Sequence, residues 1–248
     1  MTAQRTFIGI DGCRAGWFCV LLDAAGRLEY RLMADARALG ELAAAADSVL
    51  IDIPIGLVEA GPGGRVCDRA ARQQLGARAA SVFSPPARGA LAARSYAEAL
   101  ALNRKVTGRG LSLQTWGLVP KIRAIDRLLR TRTALRGVLR ECHPELCFQA
   151  LNNGQVMQYP KKQPAGARER LTLLERCLPG CQALYEQACG QFLRREVARD
   201  DILDALACAL TAWLGGGTYR TLPDEPPQDG QDLAMEIVYG PGRVPRRC

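Results

Sequence analysis

The alternation of apolar and polar positions divides the chain into strand-like and helix-like stretches before any residue is given a role. After a short polar lead come TFIGID, WFCVLLD and RLEYRL, separated by the turn-forming stretches GCRAG and AAG. Runs of this kind predict an antiparallel meander of three strands. ADARALGELAAAA, rich in alanine and leucine, predicts a helix, and SVLIDIPIG is a β-branched run closed by Pro54 and Gly56. A helix between two strands implies a crossover, which places the new strand parallel within the same sheet.

From about Gly61 to Arg136 the pattern is mainly helical and strongly basic, in RVCDRAARQQLGAR, ARSYAEALALNRK and PKIRAIDRLLRTR, and no repeat is visible. GVLRECHPE predicts a further strand ending in carboxylates, and ARERLTLLERCL and CQALYEQACGQFLRREV predict more helix. DDILDALACALTAWLGGG is an apolar helix stopped by glycines. TLPDEPPQDGQD then reads as a Pro-rich polar loop and AMEIVYG as a short edge strand. The order is the layout of a ribonuclease H-like α/β domain: a mixed sheet, three antiparallel strands and then parallel ones, flanked by helices. The expectation is one domain over residues 1–248 with a basic helical insertion at 61–136.

Composition narrows the class. With 248 residues, 48% of them hydrophobic, the chain can bury a substantial core, so disorder is not its main character. No stretch reaches the roughly 18 apolar residues of a membrane span, and MTAQRTF lacks the basic-then-apolar layout of a signal peptide. The expectation is a soluble cytoplasmic protein with no membrane partner. Without an export signal, the ten cysteines are expected as thiols. The nearest approach to a metal cluster is ECHPELC, with Cys142, His143 and Cys147, together with Cys177, Cys181 and Cys189, but the paired spacing of structural zinc sites is missing. The formal charge of +8, from 33 basic and 25 acidic residues, agrees equally with a polyanionic partner and with a general preference for arginine.

Carboxylates change the picture most. Asp11 ends the first strand and Asp52 sits near the end of the fourth, each among apolar neighbours. On parallel neighbouring strands both would emerge at the sheet edge where open α/β sheets place ligands. Two like charges so close need a proton or a cation, and magnesium suits hard oxygen ligands. Asp201 and Asp204 lie three apart on an apolar helix and share one face. Each acid also has a plainer reading: Asp11 as a turn former before Gly12, Asp52 as a loop cap, Asp201 as an N-cap with Asp204 a favourable dipole charge. Glu141, His143 and Glu145 form a third polar group, with Glu141 and His143 on one side of a strand. Arg65, Arg69 and Arg72, at spacings of four and three, would line one helix face for phosphates or form a solvated surface; Lys121 and His143 join them as substrate-binding candidates.

GIDGCRAGW, IDIPIGL, the segment from CDRAAR to SVFSPP, QTWGLVPKI, ECHPELCF and DDILDALACALTA together resemble the DUF429 family of predicted nucleases with a ribonuclease H-like fold, from about Phe7 to Ala212. The resemblance implies a nuclease that uses Mg2+ or Mn2+ on DNA or RNA, with two ions bridging the acids and the phosphodiester. Enzymes of the Holliday-junction-resolvase type are similar in carrying an acid on the first strand (Asp11), one on the fourth (Asp52, where glutamate is frequent) and a D-x-x-D on the last helix (Asp201, Asp204). Glu145, just after a strand, is the candidate for an extra ligand. Two other classes stay open. GIDGCRAGW and LGGGTYR (Leu214 to Arg220) also fit an actin-like or sugar-kinase-like phosphotransferase binding ATP, although only one full set of strands is found. A nucleic-acid-binding module without turnover is the other.

Overall fold

The meander forms where the pattern places it: β1 (Thr6–Cys13), β2 (Gly16–Asp23) and β3 (Leu28–Met33) pair antiparallel in sequence order. The structure, a computed structural model, describes residues 5–241. Helix α1 (Ala36–Ala44) begins at Asp35, whose carboxylate accepts the Ala38 N–H. It leads into β4 (Ser48–Ile51), which lies parallel to β1 with Ile10 opposite Ile51. The chain then makes α2 (Val66–Leu75), α3 (Tyr96–Thr107) and α4 (Leu113–Thr131) before β5 (Leu139–Glu141), which pairs parallel to β4. Helices α5 (Pro144–Leu151), α6 (Pro164–Cys177), α7 (Cys181–Gln191) and α8 (Arg199–Gly215) follow, then β6 (Tyr219–Leu222) and β7 (Ile237–Pro241).

The main sheet has the order β3-β2-β1-β4-β5, mixed as expected and compatible with a ribonuclease H-like fold. Among the described residues, one compact unit comprises the chain up to Asp52, Gly137–Arg220 and the part from Val238; a second comprises Ile53–Arg136 with Thr221–Ile237. The basic insertion read at 61–136 corresponds to most of the second unit, which begins earlier and takes in the Pro-rich return segment. Helix α4 starts seven residues before Pro120, the proline at the head of the expected helix PKIRAIDRLLRTR. Ser112 caps it by accepting the Thr115 N–H, and the proline sits inside the helix. No helix among the described residues is long and apolar enough to cross a membrane.

The core of the first unit is built around α8. Ile202 to Ala212 are buried without interruption and pack with Phe18, Leu50 and Phe148. Each leucine so buried contributes about 2 kcal/mol of hydrophobic stabilisation. One contact fixes the seat of this helix. A Cβ on Gly9 of β1 would lie 2.0 Å from the Ala209 nitrogen and 2.2 Å from the Ala205 carbonyl oxygen, so strand and helix meet backbone to backbone. The helix ends at Gly216, in the left-handed conformation, whose N–H reaches the Ala212 carbonyl. LGGGTYR is thus the helix terminus.

Candidate metal centre

Three elements deliver three acids to one place. Side chains alternate along a strand, so Asp11 shares the face of β1 that Gly9 presents to α8. Because Gly9 lets α8 approach so closely, Asp204, the residue before Ala205, comes down beside Asp11. Asp52 is the first residue past β4, and its N–H donates to the Ile10 carbonyl at 2.9 Å, continuing the parallel ladder by one step. The carboxylate oxygens of Asp11, Asp52 and Asp204 lie within 4.8 Å of one another and can hold a metal ion. Asp11 and Asp204 are 8% and 1% exposed, and Asp52 is half-buried.

Such a group cannot be fully ionised alone. Unit charges about 4 Å apart repel by about 4 kcal/mol even at an effective dielectric constant of 20. Burial, and then the Asp52 and Asp204 charges, push the Asp11 carboxyl well above the usual range. Burial, and then Asp204, push Asp52 up to about 8. Burial also raises Asp204, against the pull of Lys161.

Lys161 was not singled out from the sequence. Its Nζ donates to Asp204 Oδ2 at 2.6 Å and lies 3.8 Å from Asp200. Asp204, first among its neighbours, raises the ammonium's pKa and keeps it charged. The lysine stands in a loop pinned from α6: Glu169 accepts the N–H groups of Gln158 and Tyr159, and buried Arg170 donates to the Tyr159 carbonyl. Its only sequence signal is a pair of lysines in YPKKQP, between prolines and without periodicity.

Three carboxylates against one ammonium leave a formal charge of −2, which one divalent cation balances. The donor set is all oxygen, as a hard cation requires. Asp204 Oδ1 is buried and has no hydrogen-bond partner among the described residues, so it is left available as a ligand. Asp11 Oδ1 is steadied by the Gly12 N–H at 2.6 Å.

The other expected site residues have different surroundings. Asp201 serves its own helix: its carboxylate accepts the Ala198 N–H at 2.8 Å, and burial raises its pKa to about 6 against that bond. It is not one of the three convergent acids. Glu145, in the first turn of α5, is buried; its Oε1 accepts from Arg170 at 2.5 Å, its Oε2 has no hydrogen-bond partner among the described residues, and it is not one of the three convergent acids. His143 is the N-cap residue of α5, its carbonyl accepting the Leu146 and Cys147 N–H groups.

The expected arginine stripe is not one. Arg65 is the N-cap residue of α2 and buried; its guanidinium is held by Asp68 and by the Ile55 and Gly56 carbonyls. Arg69 donates to the Gly64 carbonyl, and Arg72 to Val82 and Ser84. A spacing of four and three matches a helix face only when all three residues are helical, and Arg65 precedes the helix. Lys121 is half-buried on α4. All four belong to the second unit.

The nine described cysteines are free thiols. Cys142, Cys147 and Cys208 converge in the core with their sulfurs within 4.8 Å, so the trio is completed by α8 and not by His143 or by the α6–α7 cysteines. Cys142 Sγ donates to Cys208 Sγ at 3.1 Å.

Fold and site together define an α/β protein with an acidic triad, able to hold a metal ion, at the ends of two parallel strands and one buried helix. Residues 9–228 match the model of the family described as "Protein of unknown function (DUF429)", and the chain belongs to that family. No curated protein and no solved structure matches the chain.

Proposed function

We propose that the protein is a phosphodiesterase dependent on Mg2+ or Mn2+, holding the ion with Asp11, Asp52 and Asp204 and hydrolysing phosphodiester bonds of nucleic acid. The observation that carries this reading is the formal charge of −2 that remains on three convergent carboxylates after Lys161 is counted against them. When bound, such an ion supplies Lewis-acid stabilisation of phosphoryl oxygens and lowers the pKa of a coordinated water. The chain's own residues do the rest. Lys161 holds Asp204 by Oδ2, the Gly12 N–H orients Asp11, and the Gly9 contact fixes the spacing of β1 and α8. The protein's charge balances one ion; a pair of ions draws its further negative charge from the substrate phosphate. The net positive charge of the whole chain favours a polyanionic substrate.

The test is cleavage of single-stranded, duplex and branched DNA and RNA by the purified protein in Mg2+ or Mn2+. Hydrolysis is expected to require the ion and to fall on the order of a thousandfold in Asp204→Asn, as loss of several kcal/mol of transition-state stabilisation implies. Intact substrates throughout, or full activity in Asp204→Asn, would overturn the reading. A Mn2+ titration by calorimetry checks the site separately: binding is expected in the native protein and lost in Asp52→Asn.

A further inference from the structure

The second unit carries a cleft of about 710 Å³ with no part in the carboxylate site, lined by Arg88, Arg123, Arg127, Arg130 and Arg136. Against five guanidinium groups, Asp126 and Asp232 are the acidic side chains of its wall. Arg88 is taken up by Glu59, Asp126 and Asp229 and so brings the cleft no spare positive charge. The remaining arginines are committed only weakly. Arg123 and Arg127 are exposed, and Arg130 makes a long 3.5 Å contact with Asp126. Arg136 donates its Nε to the Leu129 carbonyl, which steadies its guanidinium beyond the end of the helix.

Arg123, Arg127 and Arg130 fall at spacings of four and three within α4, so they form one row on a helix face. Like charges so spaced cost the helix a few tenths of a kcal/mol per pair, so helix stability does not account for the row. An anionic ligand would offset that repulsion. Guanidinium is planar and presents paired N–H donors that match phosphate oxygens. The row is about 10.5 Å long at 1.5 Å per residue, close to the rise of three nucleotides at about 3.4 Å each. The lining contains no aromatic ring on which a base could stack.

We infer that this cleft is a phosphate-binding site that tracks the backbone of a nucleic-acid strand without reading its bases. Nucleic acid is chosen over other phosphate compounds on the proposed function; the binding itself is separate from hydrolysis. A free nucleoside triphosphate carries the same chemistry, and competition distinguishes the two.

The experiment uses the full-length protein in EDTA, so that no cleavage occurs, and a fluorescent single-stranded oligonucleotide followed by anisotropy as salt is raised. Arg123→Gln with Arg127→Gln is expected to weaken binding about tenfold and to reduce the slope of log K against log salt by about 1.4, the loss of two phosphate contacts. Arg123→Lys with Arg127→Lys is expected to keep most of the slope. The control, Arg168→Gln with Arg176→Gln, removes two exposed charges of α6 and is expected to stay within about twofold. Equal weakening in control and test variants, or no weakening in the test variant, would overturn the assignment, as would no binding by the native protein. Retention of the oligonucleotide against excess ATP supports the strand; displacement by ATP overturns the strand and leaves a nucleotide site. Mn2+ binding at the carboxylates is read by calorimetry in the absence of nucleic acid, so failure of the carboxylate reading and failure of this one give different results.

Discussion

Each unit gathers three carboxylates around one cationic side chain, and the two groups differ in what that cation satisfies. In the second unit Arg88 binds Glu59 at 2.7 Å and also binds Asp126 and Asp229. Asp229 further accepts the N–H groups of Leu57, Gln231 and Leu233. A guanidinium has five donors in a fixed plane and reaches all three acids. In the first unit the Lys161 ammonium, a point charge, touches Asp204 and leaves Asp11 and Asp52 to repel each other. A guanidinium among three acids therefore gives a closed structural network in one place, and an ammonium beside three gives an open, anion-rich site in the other. Counting acids does not separate them; counting donors does.

The largest expected effect tests the closed network. Arg88→Met leaves buried carboxylates unpaired and is expected to lower stability to urea by about 3–5 kcal/mol. Native-like unfolding in that variant would break the distinction. Next comes a pair of variants with opposite signs. In metal-free buffer Asp52→Asn relieves repulsion and is expected to raise stability by about 1 kcal/mol, the usual trade between a functional site and stability. Asp229→Asn loses a charge-assisted bond and is expected to lower it by about 2 kcal/mol. Equal signs would erase the contrast.

The last prediction concerns pH. An unfolded aspartate loses its proton near 4, whereas Asp52 keeps it to about 8. Between those values the folded state binds more protons than the unfolded one, so stability of the metal-free protein is expected to fall as pH rises from about 4 to about 8. Asp11 and Asp204 act in the same direction, and the Lys161 charge lessens their upward shift while staying protonated itself in this range. Thermal midpoints measured with and without Mn2+ are expected to diverge as pH rises. A constant gap would show that the acids do not share the ion.

The sheet was legible because its strands are short apolar runs between turn residues, and because a helix between β3 and β4 constrains their pairing. Asp11, Asp52 and Asp204 were legible for a related reason: a carboxylate in an apolar stretch has few structural excuses. Lys161 lies 43 residues from its partner in a loop without periodicity, so only the tertiary fold could reveal it. Arg65, Asp201 and Glu145 have the composition of site residues, but local partners engage them, and spacing alone does not register a hydrogen bond to a neighbouring backbone or an arginine on another helix. The return of residues 221–237 to the second unit was equally unreadable, since a polar Pro-rich stretch carries no pairing signal.

The absent side chain at Gly9 has one more consequence. Where β1 and α8 touch through main-chain atoms, the backbone separation beside Asp11 and Asp204 is set by van der Waals contact and not by an intervening side chain. The backbones that carry these two acids cannot be drawn apart unless the central helix lifts from the sheet. A side chain at position 9, even a single methyl group, would force the helix off the strand and carry Asp204 away from Asp11. One missing methyl group thus keeps two of the three acids within reach of each other.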